Sequence, residues 1–303
     1  MLVLFEFLVL ILILKSNVNG FKFVKNQNYL TSKYSQMPND NENILHENQM
    51  SYMSLEKLVL VDNDDVYIGK DSKKNAHTFD HSYPRGKLHR AFSVFLFNSQ
   101  GKLLIQQRAK DKITFPGVWS NTCCSHPVID ILPNEVDDQF DIRSGKVDGI
   151  KNAAIRKLKH ELGINTINKY DIKYLTRLHY WAADIQTHGK DSCWGENEID
   201  YILFIVKDVD HTINQEEIKE TRYISCGDLV KMMDLQSGYS WSPWFRIIAD
   251  KFLPNWWSNL SQTMNTDKYT VYDTIYRFDP SPEYFGGAGK AGKWLGEADR
   301  LII

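Results

Sequence analysis

The chain has 303 residues, 43% of them apolar, and a formal net charge of −2. That length admits one or two domains with a sizeable core, and the near-neutral charge excludes a chain-wide attraction to nucleic acid or anionic lipid. Four cysteines (Cys123, Cys124, Cys193, Cys226) are too few and too scattered for a disulfide scaffold, and bridging the adjacent Cys123 and Cys124 would strain the backbone, so all are read as reduced thiols.

In chain order, Met1 to Leu14 is almost wholly apolar, broken by Glu6 and followed by Lys15. It is too short for an ordinary membrane span and lacks the basic residues that precede a signal-peptide core. Residues 1–20 are therefore expected to be a leader or signal-like segment, or else an extension without a targeting role. Lys25 to Met50 is rich in Asn, Gln, Ser and Tyr and has too little apolar surface to offset the entropy of ordering, so residues 21–51 are expected to be a disordered spacer. The folded domain is expected over 52–265, with a tail of unassigned role over 266–303.

Within that domain Lys57 to Val61 reads as a strand and Asn63-Asp64-Asp65 as a turn. Ala91 to Phe97 is a nearly continuous apolar run, the pattern of a strand covered on both faces. Asn98 to Gly101 makes a hairpin turn into a returning strand, Lys102 to Gln107. Asn152 to Leu162 predicts a helix ending at Gly163, with Ile155, Leu158 and Leu162 as its apolar stripe. Leu175 to Ala183 and Glu198 to Lys207 are further strands; Asp228 to Leu235 and Pro243 to Leu253 are helices. Strands mixed with a few helices indicate a single α/β domain.

The densest polar segment is Asn121-Thr122-Cys123-Cys124-Ser125-His126-Pro127. It reads either as a reactive thiol beside a metal-ligating imidazole or as two small buried thiols and a hydrogen-bonded histidine. His77 and His89 become ligand candidates if they converge with His126. Glu196 and Glu198 are two apart at the start of a strand and so share a side, where they repel unless a cation lies between them or one is protonated. Three histidines with two carboxylates suit manganese, iron, zinc or magnesium better than calcium. Lys157 and Glu161, four apart on the predicted helix, form either a surface ion pair or a phosphate-binding cation beside a Mg²⁺-binding carboxylate. Lys73, Lys74, Arg108 and Lys112 are further cations, and Trp241, Trp244, Phe245, Trp256 and Trp257 are aromatics for the core or, through an indole face, for a cation.

Taken together, HRAFSVFLFN (89–98), ITFPGVWSNTCCSHP (113–127), RKLKHELGI (156–164), LTRLHY (175–180), WGENEIDYIL (194–203) and SPWF (242–245) resemble the type I isopentenyl-diphosphate isomerases, in that family's order and nearly its spacing, over about residues 53–262. The resemblance implies a Nudix-like α/β/α sandwich with a mixed sheet and extra N-terminal elements. It implies a catalytic set of Cys124, Glu198, Tyr180 and Trp244. The metal site it implies is formed by His77, His89, His126, Glu196 and Glu198, holding Mn²⁺, Zn²⁺ or Mg²⁺. A second ion, Mg²⁺ carried with the diphosphate, falls to Glu161 helped by the carbonyl of Cys124. Lys73, Arg108, Lys112 and Lys157 match the family's diphosphate-binding cations. The implied partner is a small diphosphate substrate, with no nucleic acid and no stable membrane span; a monomer is expected. The cytoplasm is the expected compartment, with the apolar leader leaving organelle or ER targeting open. The loop from Trp181 to Cys193 is somewhat longer than the family's, and Lys157 stands where many members carry Arg, which loses bidentate phosphate geometry. Two rivals are weighed. A Nudix hydrolase needs a run of glutamates where this helix has Lys157 and His160, and a closed zinc module built on Cys123, Cys124, His126 and His89 leaves Glu196 and Glu198 unexplained.

Overall fold

The computed structural model describes residues 49–234, 236–278 and 301–302. The expected leader, most of the spacer, Leu235 and most of the tail lie outside the described residues. Residues 49–55 are helical (α1), and Gln49 and Met53 are buried. Residues 49–51, the end of the expected spacer, belong to this helix, and Gln49 is held there by donating to the Glu216 carbonyl at 3.1 Å, a contact that composition within the segment does not show.

The chain then runs through β1 (Lys57–Val61), β2 (Tyr67–Ser72), α2 (Lys73–His77), β3 (His89–Phe97), β4 (Leu103–Arg108), β5 (Trp119–Ser120), β6 (Cys123–Ser125), α3 (Gln139–Ser144), α4 (Asp148–Leu162), β7 (Lys173–Ala183), α5 (Ile185–His188), β8 (Gly195–Val206), β9 (Ile218–Ile224), α6 (Cys226–Met232), α7 (Pro243–Lys251), α8 (Leu253–Ser258), α9 (Leu260–Asn265), β10 (Ile275–Phe278) and β11 (Leu301–Ile302). The predicted strands and helices are all present within a few residues. The short β2 and α2, the polar edge strand β9, and β10 were not predicted. β10 pairs in parallel with β7, from Ile275↔Arg177 to Phe278↔Tyr180, so the sheet recruits chain beyond the boundary expected at 265. Among the described residues no helix is long and apolar enough to cross a membrane.

The strands form a mixed sheet in the order β11-β10-β7-β8-β3-β1-β2. β3 and β8 are parallel neighbours and bury both faces, which accounts for the unbroken apolar run of β3. Alternate residues go to opposite sides. Phe95, Phe97, Ile202 and Phe204 pack toward Trp244, Phe245 and Trp256 of α7 and α8, while Phe92, Val94, Leu96, Leu203 and Ile205 pack toward Ala154, Leu158 and Leu162 of α4. Helices thus cover both faces, giving the α/β/α sandwich. β4 touches β3 only at Phe97↔Leu103 and then diverges to pair with β5 and β9, and β6 takes the place beside β3. The resulting split in the sheet is where the polar residues gather.

One buried charge ties three strands of the sheet together. Asp65, in the turn after β1 with φ +63, accepts from Arg90 Nε of β3 at 2.7 Å and Arg177 Nη1 of β7 at 2.8 Å, and also from the Tyr201 hydroxyl of β8. Asp65 is fully buried. Asp65→Asn, which keeps the side chain's shape and its tolerance of a left-handed turn, leaves two buried guanidiniums without their counter-charge. We expect a loss of about 3–5 kcal/mol, measured by urea unfolding.

Candidate active site

Five side chains from four elements converge at the N-terminal ends of β3 and β8. His77 ends α2, whose first turn is capped by Ser72 accepting from the Asn75 N–H at 3.2 Å. His89 opens β3, His126 follows β6, and Glu196 and Glu198 point to one side of β8. One donor atom from each lies within 4.8 Å of all the others, and all five residues are buried. Opposite donors bound to a single ion stand roughly 4–4.5 Å apart, so this span fits one metal. Nδ1 of His77 lies 2.7 Å from the Lys73 carbonyl, and Nδ1 of His89 lies 2.7 Å from the Lys87 carbonyl. A ring whose Nδ1–H is given to a carbonyl presents a bare Nε2, the ligating form. His89 Nε2 and Glu196 Oε2 are buried with no hydrogen-bond partner, although Glu196 Oε2 is only 2.7 Å from His77 Nε2. Buried polar atoms crowded without bonds around a common centre fit an ion between them. Burial, helped by His77 and His89, holds His126 far below its usual pKa and keeps its imidazole neutral. Burial pushes Glu198 up, but contact with His89 and the Tyr180 hydroxyl outweighs it and holds the carboxylate lowered.

Glu196 and Glu198 are oriented from outside the cluster. Thr114 Oγ1 donates to Glu196 Oε1 at 2.9 Å, and Tyr180 Oη donates to Glu198 Oε2 at 2.5 Å. Tyr180 and Glu198 are register partners across β7 and β8, so this bond follows from the strand pairing. Gly195 lets β8 begin here: a Cβ at that position would stand 2.4 Å from the Ala182 carbonyl and 2.5 Å from the Phe79 ring.

Cys124 lies on the same face of the sheet, paired with Ser93 of β3. Its sulfur is 2.8 Å from Asn121 Oδ1, 3.5 Å from Ser120 Oγ and 2.9 Å from the indole nitrogen of Trp244, which donates to it. Burial pushes the thiol up to about 12, so the ligand-free site holds it protonated. Cys123 points the other way, toward α4, with its sulfur 3.5 Å from Glu161 Oε2. Trp244 is buried, and the Arg108 guanidinium lies 5.5 Å over its ring.

A cavity joins these groups to Lys73, Arg108, Lys112, Lys157 and Glu161. Of the residues predicted as metal ligands and cations, His77, His126, Glu196, Glu198, Glu161, Lys73, Arg108, Lys112 and Lys157 line it, as do Cys124 and Trp244; His89 reaches the cluster without lining the cavity, Lys74 does not line it, and Tyr180 donates to Glu198. Lys157 and Glu161 are buried rather than a surface pair, 3.1 Å apart. Lys73 pairs with Glu56 at 3.0 Å and Lys112 with Glu217 at 2.5 Å. Burial works against the charge on Lys157, but Glu217, Glu161 and Glu56 outweigh it and raise its pKa. Arg108 instead donates to the carbonyls of Phe115 and Thr114 at 2.9 and 2.8 Å, shaping the loop that carries Thr114.

A model of the NUDIX domain matches residues 87–245. The isopentenyl-diphosphate delta-isomerase of Gibberella zeae is 43% identical over 234 residues, covering 77% of this chain and 87% of that protein. The Phaffia rhodozyma isopentenyl-diphosphate delta-isomerase is 45% identical over 223 residues, covering 72% and 82%. Isopentenyl-diphosphate Delta-isomerase 1 of Bos taurus is 44% identical over 230 residues, covering 75% and 94%. The chain belongs to the isopentenyl-diphosphate delta-isomerase family, within the Nudix superfamily.

Membership in the isomerase family agrees with what the site lacks as a rival. α4 offers the cavity Glu161 but has Lys157 and His160 where a hydrolase would place glutamates. Neither Cys123 nor Cys124 belongs to the His/Glu cluster, which removes the closed zinc module. Sequence reasoning missed Glu56, Glu217, Thr114, Ser93, Ser120 and Asp200. Only Asp200 carried a signal, being two residues beyond Glu198 and so on the same side of the strand. Glu56 yields a pH test. Burial pushes its carboxyl up, but Lys73 and Lys157 pull it from the ordinary 4.5 down to about 2. Its stabilising contribution is complete above the ordinary value and is lost as pH falls through the lowered one. Glu56→Gln is expected to reduce stability at neutral pH and to flatten its decline between pH 4.5 and about 2, read from urea midpoints across that range.

Proposed function

We infer that the chain moves the double bond of isopentenyl diphosphate to give dimethylallyl diphosphate, an intramolecular isomerisation of isoprenoid biosynthesis. The observation that carries this reading is the placement, in one cavity, of a five-donor His/Glu cluster, the Cys124 thiol, the Trp244 indole and four cations. The substrate is an unactivated alkene. Protonating its terminal carbon gives a tertiary cation, and losing a proton from the neighbouring methylene gives the product. The site must therefore supply an acid, a base, stabilisation of positive charge and exclusion of water.

In this reading Lys73, Arg108, Lys112 and Lys157 bind the diphosphate, the last as a point charge rather than a fork. Glu161 would hold the Mg²⁺ that arrives with it, an ion satisfied by one or two carboxylates plus phosphate oxygens. When bound by His77, His89, His126, Glu196 and Glu198, a manganese, zinc or magnesium ion supplies the fixed charge that sets the orientation and acidity of Glu198. Glu198, hydrogen-bonded to Tyr180, delivers a proton to the terminal carbon, and the Cys124 sulfur takes one from the methylene. Placed proton transfer of this kind contributes about a hundred- to ten-thousandfold. Trp244 stabilises the cation through its π face, and its burial with Phe115 keeps out the water that would capture it. Every group named comes from one chain, so a monomer suffices, and four free cysteines suit a reducing compartment such as the cytoplasm.

One observation favours a second assignment within the same reaction. Cys124 donates its S–H to Asn121 Oδ1 and Glu198 accepts from the Tyr180 hydroxyl, the hydrogen-bonding roles of a thiol and a carboxylate. With those protonation states the thiol would give the proton and Glu198 would take one. The test is turnover of isopentenyl diphosphate with and without divalent metal, followed by single variants in D₂O. Cys124→Ala and Glu198→Gln should each abolish net isomerisation, whereas Cys123→Ala should be mild. If Glu198 is the acid, Cys124→Ala still places deuterium slowly on the terminal carbon of recovered substrate and Glu198→Gln does not; the reverse pattern assigns the acid to Cys124. An active Cys124→Ala protein would sink both assignments.

A further inference from the structure

Asn121 lies in the turn between β5 and β6, three residues before Cys124, and is completely buried. Its side-chain nitrogen donates to the carbonyls of Val94 at 3.0 Å and Cys123 at 3.1 Å. Both amide hydrogens are thereby committed to backbone, and turning the amide over would set its oxygen against two carbonyls. The orientation is fixed, and it leaves Oδ1 facing the sulfur. Three donors converge there: Cys124 Sγ at 2.8 Å, Ser120 Oγ at 3.0 Å and Trp244 Nε1 at 3.2 Å. Of the sulfur's other neighbours, Trp244 only donates, Ser93 Oγ donates from 3.8 Å, and Ser120 Oγ at 3.5 Å is the more distant of the two oxygens that can accept its proton. A buried asparagine serving the loop alone would need only its contacts to Val94 and Cys123.

We propose that Asn121 is a positioning residue of this isomerase: its side-chain oxygen anchors the Cys124 sulfur at one point of the cavity wall and accepts its S–H. This rests on the isomerase reading above. The geometry makes the sulfur's position independent of substrate, because Val94 fixes the amide, the amide fixes the sulfur, and Ser120 and Trp244 brace the same oxygen. Removing the oxygen frees the sulfur to rotate while Lys73, Lys112 and Lys157 keep their carboxylate partners.

The test uses the full chain. Raman difference spectra between the wild type and Cys124→Ala isolate the S–H stretching band of Cys124. We expect that band at the lowered frequency of a thiol that donates a hydrogen bond, and we expect Asn121→Ala to move it to the frequency of a free thiol. In the same variant kcat should fall about ten- to a hundredfold, the scale of an ångström-sized misplacement, with KM unchanged. A wild-type band at the free-thiol frequency, or no band, overturns the inference even if Asn121→Ala fails to fold. Wild-type kcat in a folded Asn121→Ala protein also overturns it. A wild type that does not isomerise the substrate defeats the functional reading instead, whatever the spectrum shows.

Discussion

The register of β8 between its two neighbours is the constraint on which the site depends. Glu198 is the register partner of His89 on one side and of Tyr180 on the other, so one row across three strands carries an imidazole, a carboxylate and the hydroxyl that orients it. A slip of one residue would turn Glu196, Glu198 and Asp200 toward the apolar layer under α4. Three carboxylates would then enter hydrocarbon without partners, a cost far above the roughly 5–15 kcal/mol by which a domain of this kind is stable. The alternating apolar residues further along β8 enforce the same choice. Ile202 and Phe204 belong to one layer and Ile199, Leu203 and Ile205 to the other. The Asp65 clamp on Arg90, Arg177 and Tyr201 ties together the same three strands on the opposite face. Packing, a buried ion network and the metal-ligand geometry thus all depend on one alignment.

Charge in the cavity follows a second logic. A chain with a net charge of −2 must build a local positive patch to receive a diphosphate. Burying lysines alone would neutralise them. Each lysine lining the cavity stands beside a carboxylate: Lys73 beside Glu56, Lys112 beside Glu217, Lys157 beside Glu161. At the buried Lys157 the surrounding carboxylates outweigh burial and hold the ammonium charged, whereas at Lys112 burial outweighs Glu217 and lowers its pKa. The carboxylates also moderate the positive charge of the patch. Arg108 needs no such partner, since the guanidinium remains charged when buried and spends its hydrogens on loop carbonyls.

The parts of this arrangement that were legible in the sequence are those in which local pattern and burial agree. Helix α4 declared itself by periodicity, β3 by its unbroken apolar run and β4 by the hairpin turn before it, and the side shared by Glu196 and Glu198 followed from extended backbone. The rest was hidden where tertiary contacts override local preference. α2 has five residues, too few for a helical stripe, yet it delivers Lys73 and His77 on one face. β9 reads as polar because it is an edge strand with much of its surface in water. On α4 the periodic reading placed Ile155 in the core stripe, but Ile155 is only half-buried while Lys157 and Glu161 are buried. The cavity beside α4 gives those charges a polar interior to face, and nothing in the helix's own pattern announces it. The counter-ions Glu56 and Glu217 were invisible for the same reason, since their lysine partners lie 17 and 105 residues away.

The adjacent cysteines show how such an ambiguity is resolved physically. Composition and spacing treat Cys123 and Cys124 alike. Once β6 pairs with β3, with Ser93 opposite Cys124 and Val94 opposite Cys123, the two sulfurs must point to opposite faces. Ser93 shares its face with His89, four residues earlier on the strand, and through the parallel pairing with Glu198. Val94 shares its face with the apolar layer under α4. Cys123 is therefore sealed among hydrocarbon with Glu161 at its edge, where burial and that carboxylate both raise its pKa. Cys124 is the sulfur that shares a wall with Trp244 and the metal-ligand cluster. The pleat of one three-residue strand separates a sulfur that lines the cavity from one that does not.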